Sequence, residues 1–447
     1  MKTFLLSFTC LSFVNFLGQI PNSLESTLNN TVNNYVAGAS TRGLSATIYH
    51  NNSSDFTSFV RGYSHVENGS QVPIDEFMFF SLGSNSKILS SVVLLSLQEQ
   101  GLLDLDDPIS NYIPNVSPHV DGNITIKQLL QHRSGLFDYV NIDALDSMNS
   151  DYNRFWSPQE IVDKFVLAPI STPGATFNYC NTNYLLAGMV IEAITSQTFG
   201  NAVNDLVFTP GQIDSVYLMG FDSILGRKAH AWDHQLLTPV NGDIDSIPTT
   251  SPGCFSWAAG GYWGKPKGLA QLYKAIFIDQ TIINSSSLTE LETFTTTGAN
   301  QPYNKYGLGI YVVNLTALTA RFHTGSWWQL SAIGIDVENN NIVAVSINDT
   351  EGLSTSIDYS SLMIQMLLDM KEADETSGLS ETDNSILISE LSNNSYSFSK
   401  PSDLIVYDTL GNMVLSKLNS TLIDLSPMPC GLYILNFGNQ TKKVVVR

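Results

Sequence analysis

The sequence predicts an α/β domain, a sheet with helices packed on it, followed by a small all-β module. Strand-like runs stand near both ends of the segment up to Lys371, with helices and loops between them. That order implies a sheet that closes late and brings the two ends of the domain together. Composition changes at Lys371, and short alternating segments then follow one another without a helix. At 447 residues, 43% of them hydrophobic, the chain can bury one large core and a smaller one.

The elements justify this in order. Met1-Lys2 and the apolar run Phe4 to Leu17 read as an export signal spanning 1–19, too short to cross a bilayer. Leu24 to Tyr35 is amphipathic and predicts a helix. Gly43 to Tyr49 and Phe56 to Gly62 read as strands about the turn at 51–54. Ser84 to Gln100 predicts a strong helix, apolar at Ile88, Leu89, Val92, Val93, Leu95 and Leu97 and ended by Gly101. From Asp104 to Phe294, short helices alternate with Pro- and Gly-rich loops, which suits an inserted helical region. Strands return at 307–313, 331–335 and 341–347, and a helix at 357–370 can cover the sheet. The domain thus spans 20–371, an acidic Ser/Thr-rich linker 372–385, and a β-sandwich 386–447.

Charge narrows the function. The chain carries 21 Lys and Arg against 41 Asp and Glu, a net charge of −20. Phosphate binding needs clustered cations, so nucleic acid is excluded as a partner, and anionic lipid is disfavoured. A small-molecule or peptide substrate remains. No other segment is apolar enough for a membrane span. Cys10 falls in the export signal, and Cys180, Cys254 and Cys430 are odd in number, so no disulfide framework is advertised. Whether Cys180 meets Cys254 stays open.

Ser84-Asn85-Ser86-Lys87 stands at the start of the strongest helix. Three residues are nearly one turn, so Ser84 and Lys87 share a face. Positive potential at the helix N-terminus and desolvation both disfavour an ammonium, so Lys87 can serve as base for the Ser84 hydroxyl. The Ser84 N–H can bind a developing oxyanion. Read alone, a serine here is usually just an N-cap. Tyr179-Cys180-Asn181 precedes an apolar helix. A phenol beside an ammonium is expected to have a lowered pKa and to shuttle a proton, and Asn181 to hold a substrate amide or carbonyl. Read alone, these are a core Tyr and an Asn cap. His323-Thr324-Gly325-Ser326 leads into a strand, where a backbone N–H, that of Ser326, can complete an oxyanion hole. Read alone, it is a polar turn.

Together, and in this order, the three motifs resemble the serine β-lactamase and penicillin-binding-protein superfamily. The nearest branch is that of class C β-lactamases, Tyr-type D-alanyl-D-alanine carboxypeptidases and family VIII esterases. Phe80 to Lys87, Glu99 to Ile109, Leu129 to Leu136, Ala258 to Tyr262 (a glycine-rich block before a helix) and Tyr306 to Gly309 extend the likeness. The resemblance implies an antiparallel sheet flanked by helices, with a helical region. It implies acyl transfer through Ser84, with protons carried by Lys87 and Tyr179, on an ester, amide or peptide, without metal or cofactor. His323 stands where many class C enzymes carry Lys, and a neutral imidazole holds a carboxylate less well, which weakens the expectation of β-lactam hydrolysis. The alternative is a catalytically silent relative kept as a surface or binding protein.

Other candidates were weighed on their residues. His230, Asp233 and His234 fit i,i+4 ligand spacing on a helix, but no third ligand or Glu base is evident, and a loop over the active site is the expectation. His132 reads as a hydrogen-bonding turn residue, not a triad base. Trp327 and Trp328 can line an acyl pocket or fill the core. The C-terminal module, through Leu404 to Gly411, Ile423 to Leu425, Gly431 to Ile434 and Lys442 to Val446, resembles the type A sorting domain of type IX secretion. That implies export to the cell surface or beyond, with secretion machinery as a partner. A carbohydrate-binding sandwich is the bland alternative.

Overall fold

The computed structural model describes residues 20–39, 42–51, 53, 55–223, 226–234, 238–298, 303–350, 359–377, 388–392, 394–409, 412–437 and 440–446. The expected export segment, 1–19, lies outside the described residues.

Nine antiparallel strands form one sheet: β1 (Gly43–Tyr49), β2 (Phe56–Glu67), β3 (Ser70–Pro73), β4 (Thr295–Thr296), β5 (Lys305–Tyr306), β6 (Tyr311–Leu315), β7 (Leu318–Trp327), β8 (Gln329–Asp336) and β9 (Asn341–Ile347). Their spatial order is β3-β2-β1-β9-β8-β7-β6-β5-β4. Leu44 pairs with Ile347 and Tyr49 with Ile342, so the sheet closes late, between its first strand and its last. Along β9, Ile342 and Ala344 face one apolar cluster while Val343, Val345 and Ile347 face another. Side chains alternate and both faces are covered, which is why this strand reads as one unbroken apolar run.

The helices that matter most are α1 (Asn22–Ala39), α2 (Lys87–Glu99), α3 (Asn181–Thr195), α4 (Thr250–Gly260) and α5 (Tyr359–Ser377). Leu24, Leu28 and Val32 of α1 and Met363, Met366 and Leu367 of α5 cover one face of the sheet. Helix α5 runs past the expected domain end, so 372–377 of the expected linker is helical and 378–387 lies outside the described residues. The reason is tertiary: the Asp374 carboxylate meets His50 Nε2 at 2.8 Å and accepts from Asn341 Nδ2 at 2.7 Å, anchoring the last turns.

The helical region covers the other face, with α2 at its centre. Ten residues of α2, from Lys87 to Leu97, are buried, so it is apolar nearly all round and not on one stripe. Gly101 (φ +72°) ends it: its N–H bonds Gln98 O and that of Leu102 bonds Leu97 O, a left-handed cap that glycine adopts without strain.

The C-terminal module is all-β: β10 (Ile388–Ser392), β11 (Ser395–Tyr407), β12 (Met413–Asp424), β13 (Gly431–Phe437) and β14 (Gln440–Val446). Strand β11 pairs β12 along its length, β10 in its first half and β13 in its second. One sheet therefore curls as a half-barrel about Phe398, Leu404, Val406, Leu435 and Val444. The segments 413–415 and 422–425, expected as separate strands, are one strand with register shifts, because the polar residues between them stay paired to β11.

Candidate active site

The site is built where α2 meets the edge of β7. Ser84 lies in a 3₁₀ turn, Gly83–Ser86, and the α-helix proper begins only at Lys87, one turn later than expected. Gly83 has φ +50°, and a Cβ there would stand 2.6 Å from the Ser326 nitrogen. A Cβ on Gly325 would stand 1.9 Å from Leu82 O. Both positions need glycine because this turn sits directly against the strand.

Ser84 is not a helix cap. Its Oγ receives Lys87 Nζ at 2.9 Å and is hydrogen-bonded to the Tyr179 hydroxyl. The hydroxyl, amine and phenol, drawn from two distant segments, thus converge on one oxygen. Lys87 is fully buried, and its Nζ also reaches Asn181 Oδ1 at 2.9 Å and Ala259 O at 2.6 Å. That carbonyl is free because α4 breaks at Trp257 (φ +30°, ψ −120°), which turns Ala258 O and Ala259 O towards α2.

Burial sets the protonation states. Desolvation pushes Lys87 down from 10.5 to about 7, against the opposing pull of Asp138 and Cys180. The expected lowering of the Tyr179 pKa is overturned: burial, then Tyr311, holds the phenol well above its ordinary value, and the Ser84 hydrogen bond only moderates this. A neighbouring lysine lowers a phenol only while it carries charge, and here the lysine yields its proton first. The neutral amine then has two N–H groups, and Asn181 Oδ1 and Ala259 O take both. Its lone pair is left for the Ser84 hydroxyl.

Asn181 lines the cleft and is also held by the protein. Its Oδ1 faces Lys87 and its Nδ2 donates to Asp138 Oδ2 at 3.0 Å, so its amide bridges two protein groups beside the cleft wall. His323 does not wall the cleft. It is buried on the opposite strand face from its buried neighbour Phe322, its Nδ1–H donates to Thr324 O at 2.6 Å, and its Nε2 faces the Tyr306 hydroxyl at 3.2 Å. Burial, then Lys87, pushes it down to about 3, so it stays neutral and holds Tyr306, whose ring lies 6.4 Å from that of Tyr179. Thr324 contributes its carbonyl to that bond, Gly325 the close approach to Leu82, and Ser326 its nitrogen beside Gly83.

A cleft opens over Ser84, walled by Tyr139, Val140, Ser256, Gly260, Ser326 and Trp327 among others. Trp327 therefore lines it, whereas Trp328 is core. His132 is a buried turn residue (φ +55°) whose Nδ1 accepts the Cys180 N–H at 3.1 Å, and its ring lies 4.2 Å from that of Tyr179. It holds Tyr179 and does not touch Ser84 as a base. Cys180 and Cys254 are buried and free, and Cys430 is exposed and free. His230 and His234 sit on and beside the ribbon Trp232–His234 and Asn241–Asp243, not on a helix. They face Asp243 and Asp349 at 2.8 Å, and neither walls the cleft. Among the described residues no cluster of metal-ligating side chains forms.

The sequence reading missed Asp138 and Ala259. Asp138 lies two residues beyond the Leu129 to Leu136 block, a positional signal. Ala259 acts through a carbonyl, which no side chain announces.

The chain is similar to several known proteins. Protein flp of Staphylococcus aureus (strain MW2) is 28% identical over 187 residues, 40% of this chain and 36% of that protein. Penicillin-binding protein 4* of Bacillus subtilis (strain 168) is 27% identical over 151 residues, 33% of this chain and 32% of that protein. The chain thus spans about a third of the length of these relatives. The crystal structure of a D-stereospecific amidohydrolase from Streptomyces sp. matches with a TM-score of 0.65 and 25% identity, over 76% of this chain and 97% of that one. The family model described as Beta-lactamase matches residues 28–361, and the chain belongs to that family.

Proposed function

We propose that the protein is a serine hydrolase that forms an acyl-enzyme at Ser84 on an ester, amide or peptide. The observation that carries this is the buried Lys87 amine, 2.9 Å from Ser84 Oγ and poised to lose its proton near neutrality, with the Tyr179 hydroxyl on the same oxygen. Lys87 takes the Ser84 proton as Oγ bonds to the substrate carbonyl carbon. The oxyanion is held by the N–H groups of Ser84 and Ser326. Tyr179, still protonated, gives its proton to the leaving group as that bond breaks, and the Lys87 ammonium restores it. Water then attacks the acyl carbonyl by the same steps in reverse, freeing Ser84.

Relatives named penicillin-binding protein and D-stereospecific amidohydrolase support acyl chemistry of this kind. A fluorophosphonate probe tests it: Ser84 is labelled in the wild type and not in Ser84→Ala. Folded protein that takes up neither this probe nor a penicillin is instead a silent binding relative.

Export is part of the proposal, supported by the apolar run after Lys2 and the sorting-domain resemblance of 386–447. Cell fractionation tests it, and retention in the cytoplasm would overturn it. Among the described residues, no helix is long and apolar enough to cross a membrane.

A further inference from the structure

Asp138 is a largely buried acid that takes no part in the chemistry above. It reaches the N-terminus of α3 from a separate loop. Its Oδ2 accepts the Asn181 side-chain N–H at 3.0 Å, it also accepts the Asn181 backbone N–H, and its Oδ1 accepts the Val140 N–H at 3.0 Å. Cys180, at the N-cap of α3, offers only a thiol, a weak acceptor, so this carboxylate adds from a distance the negative charge and the acceptor for the Asn181 N–H that a local Asp ordinarily brings to a helix start.

An amide has two unlike ends. Because an acceptor holds Asn181 Nδ2, its Oδ1 must face Lys87 Nζ, 2.9 Å away. Were the amide reversed, donor would face donor, and the amine would have to turn its lone pair away from Ser84. Charge acts as well as geometry. Lys87 faces Asp138, Cys180, Tyr179, Tyr184, His132 and His323, and Asp138 is the carboxylate among them. Its negative charge favours the ammonium against desolvation.

We propose that Asp138 is a positioning residue: acting through the Asn181 amide, it aims the Lys87 lone pair at Ser84 and sets the pH above which that amine works as a base. The inference rests on the serine hydrolase reading. By holding Val140 N–H, the same carboxylate also ties the amine to a wall of the cleft.

The test follows fluorophosphonate labelling and p-nitrophenyl ester hydrolysis against pH in the full chain, as wild type, Asp138→Asn and Asp138→Glu. Asp138→Asn is expected to slow both by roughly 10- to 100-fold. Its acid-limb midpoint is expected about 1 pH unit lower, because losing the anion disfavours the ammonium. Asp138→Glu keeps the charge but misplaces it, so its rate falls while its midpoint stays with the wild type. A merely structural role lowers melting temperature and rate without moving the midpoint. Folded Asp138→Asn with an unmoved or raised midpoint overturns the proposal and leaves Ser84 chemistry standing. Should Asp138→Asn not fold, Asp138→Glu decides: a slowed rate at an unmoved midpoint with the wild-type melting temperature supports the proposal, and a wild-type rate, or a slowing that comes with a lowered melting temperature, overturns it. Wild-type protein whose Ser84 is never labelled is a different failure, that of the hydrolase reading itself.

Discussion

Asn181 Oδ1 lies 2.9 Å from the Lys87 amine, the same distance at which that amine meets Ser84 Oγ. With Ala259 O as a third partner at 2.6 Å, an ammonium is fully satisfied here, and an amine retains one lone pair in the direction of Ser84. The consequences of this arrangement can be measured.

Activity should follow loss of the Lys87 proton. With Lys87 at about 7 and Tyr179 held well above its ordinary value, kcat/KM is expected to rise through neutral pH and then stay level. No basic limb is expected below about pH 10. A bell-shaped profile falling away near pH 8 to 9 would mean that the phenol, not the amine, is the base.

Removing the amine should abolish turnover yet stabilise the fold. Lys87→Met is expected to cost at least about 1,000-fold in kcat/KM, and Lys87→Arg should not rescue it because a guanidinium does not deprotonate. For stability, the folded-state value of about 7 lies below the ordinary 10.5. Between them the unfolded chain binds more protons, so stability from this group rises with pH across that window. Below about 7 the folded protein carries a buried ammonium, which costs on the order of 5 kcal/mol. Lys87→Met should therefore melt higher than wild type near pH 6, with the gap closing towards pH 10. Thermal melts at both ends decide, and a gap independent of pH would count against a depressed lysine.

The glycines at the contact should be irreplaceable for a steric reason. Gly325→Ala sets a methyl 1.9 Å from Leu82 O, a backbone atom that cannot rotate aside. A loss of about 2 kcal/mol or more, with labelling of Ser84 abolished, is expected. Gly101→Ala is the control: nothing lies within 4 Å, but φ is +72°. It should cost about 1 kcal/mol and leave labelling intact.

Substrate charge should matter. The residues walling the cleft carry no charged side chain among the described residues, and His323 is neutral and turned to Tyr306. With a net charge of −20 besides, a neutral ester should outpace its carboxylate-bearing counterpart. We expect about 10-fold in kcat/KM, narrowing at high salt. Equal rates for the matched pair, or brisk nitrocefin turnover, would contradict this.

Much of the fold was legible because apolar periodicity is a local property. The runs at 43–49 and 341–347 announced strands, and 84–100 announced a strong helix, which forms over 87–99. Ser84 and Lys87 were legible for the same reason, lying one turn apart. What failed depended on surroundings. His230 and His234 have helical spacing but lie on and beside a ribbon, where Ser64, Asn348 and Asp349 supply partners. Asn181 was legible as a cleft residue, but that its amide also ties Lys87 to Asp138 depends on a loop far away in sequence. Tyr179 was judged by its charged neighbour alone, and burial outweighed it.

By itself, the sequence determined which groups exist and which of them a single helical turn would hold together: a hydroxyl, an amine, and the apolar residues that sink both. It also determined the strand runs that let the chain's two ends meet. Only the tertiary structure decided which group gives up its proton, which way the Asn181 amide points, and that Ala259 matters at all. Protonation depends on how much water the whole fold removes, and a backbone carbonyl is aimed by a kink at Trp257, far from the serine in sequence, so neither quantity is written in any local pattern of residues.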